Sequence, residues 1–213
     1  MSETAVITKP QIKPTRERLY LEHILFHGPG TVRRHVNRYK WAAGHLLKGD
    51  SVLDSACGSG YGDYILMGVA REVVGIDRDA DAIHYAKWKR QTQNQSRLSY
   101  FQMDLAHLEG VFQPNEFDAI VCIETIEHLD ETGQHDFVRQ AVRLLKPGGR
   151  FIVTTPEKGD AKMTEFHERE FTRTDFIGFL SRYFKDVSFD TPAQFGVPHN
   201  FLLAVCREPH EIH

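Results

Sequence analysis

Four acidic residues in this sequence stand at or just past the ends of short apolar or alternating runs. Asp54 follows Val52 and Leu53, Asp77 follows the run 73–76, Asp104 follows the alternating stretch 98–102, and Glu124 follows the run 117–123. An ionised carboxylate only accepts hydrogen bonds, so four of them suit a ligand rich in donors: a cationic amine, a pair of adjacent hydroxyls, an exocyclic amine. Between the first two lie Gly58, Gly60 and Gly62, a pattern for a sharp turn whose backbone passes close to a ligand, or for an ordinary tight turn. Asp77 follows Asp54 by about twenty residues, the interval at which a nucleotide-binding α/β unit places its ribose carboxylate. The alternative for Asp77 is a cap on the helix starting near Asp79.

A second group is Glu124, Glu127 and His128, with His167 further on in the charged stretch 165–170. A histidine near its ordinary pKa of about 6.5 is a competent general base for a hydroxyl. The plainer reading of Glu127 and His128 is a solvated turn or a helix start.

The elements that must position these groups follow from periodicity and breakers. Residues 1–14, with Pro10 and Pro14, read as a flexible tail, and 15–213 as one domain. A helix is expected at 15–27, broken by Gly28, Pro29 and Gly30, and another at about 31–47, so that 15–48 precede the first strand. On the second, His35 and Arg38 read as a solvated basic face or as part of the site, with Tyr39 and Trp41 packed inward. Strands are expected ending at Asp54 and Asp77, at 98–102, 117–123, 150–155, 187–189 and 201–206. Helices are expected at 64–70, 80–91, 137–145 and after Thr172, an N-cap with Asp175 three residues on. Alternating strands and helices imply an α/β, doubly wound, Rossmann-like sheet, mostly parallel, with helices on both faces and ligands at the strands' carboxyl ends.

The 213 residues are 41% hydrophobic and 26% charged with net charge −3, an ordinary soluble composition with no pull toward nucleic acid or membrane surfaces. Twelve histidines would turn the chain positive near pH 6. Three cysteines, an odd count without pair spacing, point to buried free thiols. No run reaches the roughly 18 apolar residues of a membrane span, and the start lacks a leader pattern, so the expected location is the cytoplasm.

The run Leu53, Asp54, Cys57, Gly58, Gly60, Gly62 resembles the first motif of the class I S-adenosylmethionine (SAM) dependent methyltransferases, and the run from Leu144 to Phe151 resembles a later one. The resemblance covers about residues 35–206. It implies a seven-stranded sheet closed by a C-terminal antiparallel hairpin, an N-terminal cap formed by the helices of 15–48, and SAM as cofactor. It implies a cofactor site of Tyr39, Asp54, Ala56, Gly58 and Gly60 on one side, with Asp77 and Arg78 at the ribose and adenine. Met103, Asp104, Leu105 and Ile123 complete it, Asp104 meeting the adenine amine. Glu124 and His128 would then be the catalytic pair. The pattern of Glu124, Glu127, His128 and Leu129 looks most like enzymes methylating oxygen on a small molecule or a sugar or glycan moiety. The same acids with His167 also resemble the metal set of 2′-O-methyltransferases of small-RNA termini. There Glu124, Glu127, His128 and His167 would hold a divalent ion, although the 156–171 connection departs from that pattern and an acidic chain is a poor RNA partner. A third alternative is a catalytically silent SAM-binding regulator. Nothing in the sequence fixes the oligomeric state.

Overall fold

The computed structural model of the chain describes residues 8–11, 20, 28–159 and 167–211. The helix expected at 15–27, except for Tyr20, lies outside the described residues, as do most of the tail expected at 1–14 and the middle of the 156–171 connection.

The strands are β1 (Ser51–Ser55), β2 (Glu72–Asp77), β3 (Leu98–Gln102), β4 (Phe117–Ile123), β5 (Leu145–Pro156), β6 (Phe184–Asp190) and β7 (Phe201–Pro209). The helices are α1 (Pro29–Gly44), α2 (Tyr61–Leu66), α3 (Ala80–Thr92), α4 (Glu131–Leu144) and α5 (Arg173–Leu180). The strands form one sheet in the order β3-β2-β1-β4-β5-β7-β6. The first five pair in parallel, and β7 runs antiparallel to both β5 and β6. This is the doubly wound, mostly parallel arrangement expected, with its antiparallel closing pair.

The two faces of the sheet explain why β4 reads as a nearly continuous apolar run. Ile120 and Cys122 join a core with Phe137 and Val138 of α4 and Phe176 of α5. Ala119, Val121 and Ile123 join the opposite core with Trp41 of α1, Leu66 of α2 and Ile83 of α3. Cys57, Cys122 and Cys206 are buried free thiols. No helix among the described residues is long and apolar enough to cross a membrane.

Several boundaries differ from expectation for local reasons. Helix α1 begins at Pro29 rather than 31, because proline's fixed φ and missing N–H suit the first helical position. It ends at Gly44 rather than 47; the Asp50 carboxylate takes the Leu47 N–H at 2.7 Å and turns the chain toward β1. Helix α2 starts at Tyr61, directly after a left-handed Gly60, and stops at Leu66, short of the expected 70. Helix α4 starts at Glu131 because Asp130 caps it by accepting the Gly133 N–H at 2.7 Å. Strand β5 starts at Leu145, not 150, taking in the glycines of 146–149 across a register shift against β4. Thr172 caps α5 as expected, its hydroxyl accepting the Asp175 N–H at 3.2 Å.

Phe137 is almost fully buried, edge-on to the Phe151 ring at 5.9 Å. Phe137→Ala is expected to lower unfolding free energy by about 3–5 kcal/mol; denaturant titration checks it, and a loss below about 1 kcal/mol would contradict this packing.

Candidate active site

The chain leaves β1 toward β2 and β3 on one side, then returns to β4 on the other side of β1. At that reversal the loops after β1 and β4 diverge and leave a crevice at the carboxyl ends of the strands. A cleft of about 780 Å³ opens there, roofed on one side by α1.

One rim is the glycine turn between β1 and α2. The Cys57 N–H donates to the Ile76 carbonyl at 2.9 Å, and the Gly58 N–H to Asp77 Oδ2 at 2.9 Å. Asp77 Oδ1 accepts the Asp79 N–H at 2.8 Å, so this one carboxylate fixes both the turn and the entry to α3. Asp79 itself caps α3 through the Ala82 N–H. The Asp77 carboxylate accepts these two backbone donors, and its side chain lines the cleft. The two alternatives for Asp77, helix-start partner and ligand acceptor, are therefore compatible. Ala56 also lines the cleft and holds a φ of 146°, a costly value for a residue with a side chain.

Gly58 and Gly60 serve different ends. Both have positive φ, 54° and 75°. A Cβ on Gly58 would meet nothing within 4 Å, and Gly58 lines the cleft; a Cβ on Gly60 would lie 2.7 Å from Tyr100 Oη. Gly58 thus keeps the cleft floor clear, whereas Gly60 is required by the packing beneath.

Asp54 departs from the expectation of four carboxylates in one cleft. Three, Asp77, Asp104 and Glu124, line it; Asp54 does not. It sits inside the pleat of β1, only 1% exposed, covered by Tyr39, Cys57 and a second acid, Asp63. Burial pushes the Asp54 carboxyl up to about 6. Asp104 is exposed at the cleft edge and caps the turn 105–107 through the Ala106 N–H. Met103, Leu105 and Arg78 line the same end, and Met103 is placed by its N–H to the Asp77 carbonyl at 2.9 Å.

The other rim is built where β4 and β5 end. Glu124 adopts a φ of 53°, a strained conformation for a non-glycine residue. Thr154 holds it there: its hydroxyl donates to Glu124 Oε1 at 2.8 Å, and its carbonyl accepts the Glu124 N–H at 3.3 Å. Burial raises the Glu124 carboxyl, opposed chiefly by the Arg38 charge. Glu127 is 1% exposed, with the Thr155 hydroxyl donating to it at 3.3 Å. Burial, and then the Glu124 charge, hold the Glu127 carboxyl well above the usual carboxylate range. The Glu127 carbonyl accepts the N–H groups of Glu168 and Arg169, at 2.9 and 3.2 Å, which draws the connection after β5 across the turn. His167 thereby meets His128 edge-on, ring centroids 5.1 Å apart, with its Nδ1 tied to Glu170 Oε1 at 2.6 Å. Glu127, His128 and His167 each present one ligand atom within 4.8 Å of the others; Glu124 is not part of that group.

Arg38 is the residue whose setting the sequence hid. The solvated-face reading fails for it: it is 3% exposed, stacked over the Phe201 ring at 4.6 Å, with Nε 3.7 Å from Glu124 Oε1 and hydrogen-bonded to no acceptor among the described residues. His35 lines the cleft beside the Tyr61 hydroxyl at 3.3 Å. The spacing of Thr31, Arg34, His35 and Arg38 puts all four on one helical face, and that pattern was the available signal.

Residues 46–188 match the family model described as a methyltransferase domain, two thirds of the chain. The chain belongs to the class I SAM-dependent methyltransferases. A probable SAM-dependent methyltransferase of Mycolicibacterium smegmatis is 31% identical over 187 residues, 84% of this chain and 66% of that protein. A ubiquinone biosynthesis O-methyltransferase of Alkalilimnicola ehrlichii is 33% identical over 112 residues, 51% of this chain and 42% of that one. Among solved structures, the N-methyltransferase NodS of Bradyrhizobium japonicum, in complex with S-adenosylhomocysteine (SAH), superposes with TM-score 0.64 at 21% identity, covering 85% of this chain and 89% of that chain. The chain spans about half to two thirds of the length of the first of these curated relatives and its kin.

The two glycines separate cofactor contact from packing. Gly58→Ala is expected to lower Tm modestly, through a side chain at positive φ, and to lose most affinity for SAH, while Gly60→Val, which adds a clash with Tyr100, is expected to lose far more thermal stability. Melting curves and calorimetry with SAH check both; normal SAH affinity in Gly58→Ala would make the turn structural only.

Proposed function

We propose that this chain transfers the methyl group of SAM to a hydroxyl oxygen of a small molecule, a sugar or glycan moiety included. The observation that carries the reading is the placement of His128 in the cleft, beside Glu127 and Glu124 and across from the Asp77 end. When bound, SAM supplies an electrophilic methyl group on a sulfonium. Asp77 presents acceptors for the ribose diol, and Asp104 an acceptor at the adenine edge. Arg38, a buried cation whose Nε–H has no acceptor among the described residues, suits the carboxylate of the methionine moiety. Glu124 places negative charge near the sulfonium. His128 takes the hydroxyl proton as the oxygen gains the methyl group. Tyr39, Ala56 and Ile123 shape the apolar floor and exclude water. The name of the Alkalilimnicola relative favours oxygen as the atom methylated.

One observation favours a second reading. A carboxylate and two imidazoles within 4.8 Å, one imidazole backed by Glu170, are a donor set that fits a divalent ion such as manganese. Glu127, His128 and His167 would hold it, and it would acidify a hydroxyl bound to it. Glu124, engaged by Thr154 and Arg38, would stand outside the set.

A screen of SAM turnover with sugar nucleotides and hydroxylated aromatics, with and without chelator, tests both. The expected outcome is SAH formation that chelator leaves intact. His128→Ala should then lower kcat by about 10²–10⁴, and His167→Ala should act mainly on the KM of the acceptor. Loss with chelator and recovery with manganese would replace the first reading by the second.

Asp77→Ala is expected to weaken SAH by a factor of about 5–150, the cost of roughly 1–3 kcal/mol for buried hydroxyls left without their acceptor. It should also lower Tm, because the Gly58 and Asp79 N–H groups lose their partner. Asp104→Ala, which removes a single exposed cap bond to the Ala106 N–H, should lower Tm less than Asp77→Ala. Calorimetry and melting curves read the two effects separately; unchanged SAH affinity in Asp77→Ala would remove the ribose assignment.

A further inference from the structure

Beneath the glycine turn lies a polar cluster that the cleft does not use directly. Asp54, at the end of β1, and Asp63, in the first turn of α2, lie side by side, 1% and 0% exposed. None of their four carboxyl oxygens makes a well-formed hydrogen bond among the described residues; the phenols of Tyr39 and Tyr100 stand near Asp54 and Asp63 as weak neutral donors. No salt bridge reaches either acid among the described residues. The groups facing the pair are Tyr39 from α1, Cys57 from the turn, Tyr61 and Tyr64 from α2, Asp77 from β2 and Tyr100 from β3. These are phenols, a thiol and another acid, and none is a cation. The site is tight: a Cβ on Gly75 would come within 2.7 Å of Asp63 Oδ2.

Two ionised carboxylates in a sealed, cation-free space repel each other strongly, and each loses its hydration. One proton between them turns the contact into a hydrogen bond, carboxylic acid to carboxylate, and leaves a single negative charge. Tyr39 and Cys57, which cover the pair, also line the cleft, so that charge lies one layer below the turn. We propose that Asp63 is a positioning residue that acts through Asp54, sharing one proton with it, and that the cationic head of a bound cofactor releases this proton to solvent. The balance is simple: an acid–carboxylate pair plus a cationic ligand gives two carboxylates, the bound ligand and a free proton. This rests on the reading that SAM binds in the cleft.

Burial raises both carboxyls: Asp54 to about 6, where contact with Asp63 and Tyr39 opposes the rise and the Asp77 charge adds to it, and Asp63 well above the usual range, where the Asp54 charge adds to burial. A group whose pKa is raised on folding gives stability that is complete below its unfolded value and is lost as pH rises through its folded value. The pair therefore destabilises the free protein progressively from about pH 4 upward. Asp63→Asn keeps a neutral donor beside Asp54 without the titration.

The test has two arms. In calorimetry with SAM near pH 7.5, in phosphate and in Tris, the wild-type binding heat is expected to differ between buffers by the amount of released proton, and that difference is expected to vanish in Asp63→Asn. Equal buffer dependence in both proteins, or none in the wild type, overturns the proposal. Asp54→Asn, the second variant, should abolish the release as well. Separately, the Tm of Asp63→Asn relative to wild type is expected to climb from pH 5 to pH 8.5; a difference independent of pH overturns the shared proton. If SAM fails to bind the wild type, the functional reading fails, and the Tm arm still decides whether the pair holds a proton.

Discussion

The carboxylate of Asp77 is the joint on which the cleft depends. Its two oxygens take the N–H of Gly58 from one loop and of Asp79 from the next. Parallel pairing of β1 and β2, with Ser55 opposite Ile76, delivers the acid to the glycine turn. A single strand-end residue thus sets the shape of the turn, the start of α3 and, through its carbonyl, the place of Met103. Such a role needs an acceptor with two oxygens and no hydrogens, which is why an acid stands there rather than an amide.

The far rim is organised by a different economy of charge. Glu124 and Glu127 are close enough for one ionised carboxyl to raise the other, and the Arg38 guanidinium lies 3.7 Å from Glu124. Hydroxyls of Thr154 and Thr155 donate to the two acids without adding charge. The strained backbone of Glu124 persists because Thr154 grips both its main chain and its side chain. Strain held in this way at a strand end is where proteins place reactive geometry.

What the sequence showed was what depends on local order: the strand, glycine turn and helix from β1 to α2, the apolar run of β4, the Thr172 cap. The acids at strand ends were legible because strand ends are local features. Whether each faces the cleft was not, since that depends on which neighbour packs over it. Asp54 and Asp77 look alike in sequence, yet one is roofed by Tyr39 and the other, though largely buried, lines the cleft. Asp63 carried no signal at all; an acid in a first helical turn is ordinarily a favourable partner of the helix dipole, and only the fold sets it against Asp54. Arg38 looked like a surface residue because the strand that supplies Phe201 lies more than 160 positions away.

Helix α1 ties the two rims together. At its far end, Trp41 Nε1 and His45 Nε2 both meet Asp190 Oδ2 of β6 at 2.8 Å, and Asn37 donates to the Gly196 carbonyl. Anchored there, the helix sends consecutive residues to different tasks. Tyr39 covers the buried acids and packs edge-on against Tyr61, while Arg38 turns to Glu124 and Phe201. His35, one turn earlier, reaches Tyr61 from the cleft side. Strands fixed by ladder bonds cannot adapt their spacing to a new ligand, but a single helix resting on side chains can shift. The rim at Asp77 is therefore fixed by strand pairing, whereas the wall that α1 contributes, with His35 and Arg38, is held only by side-chain contacts.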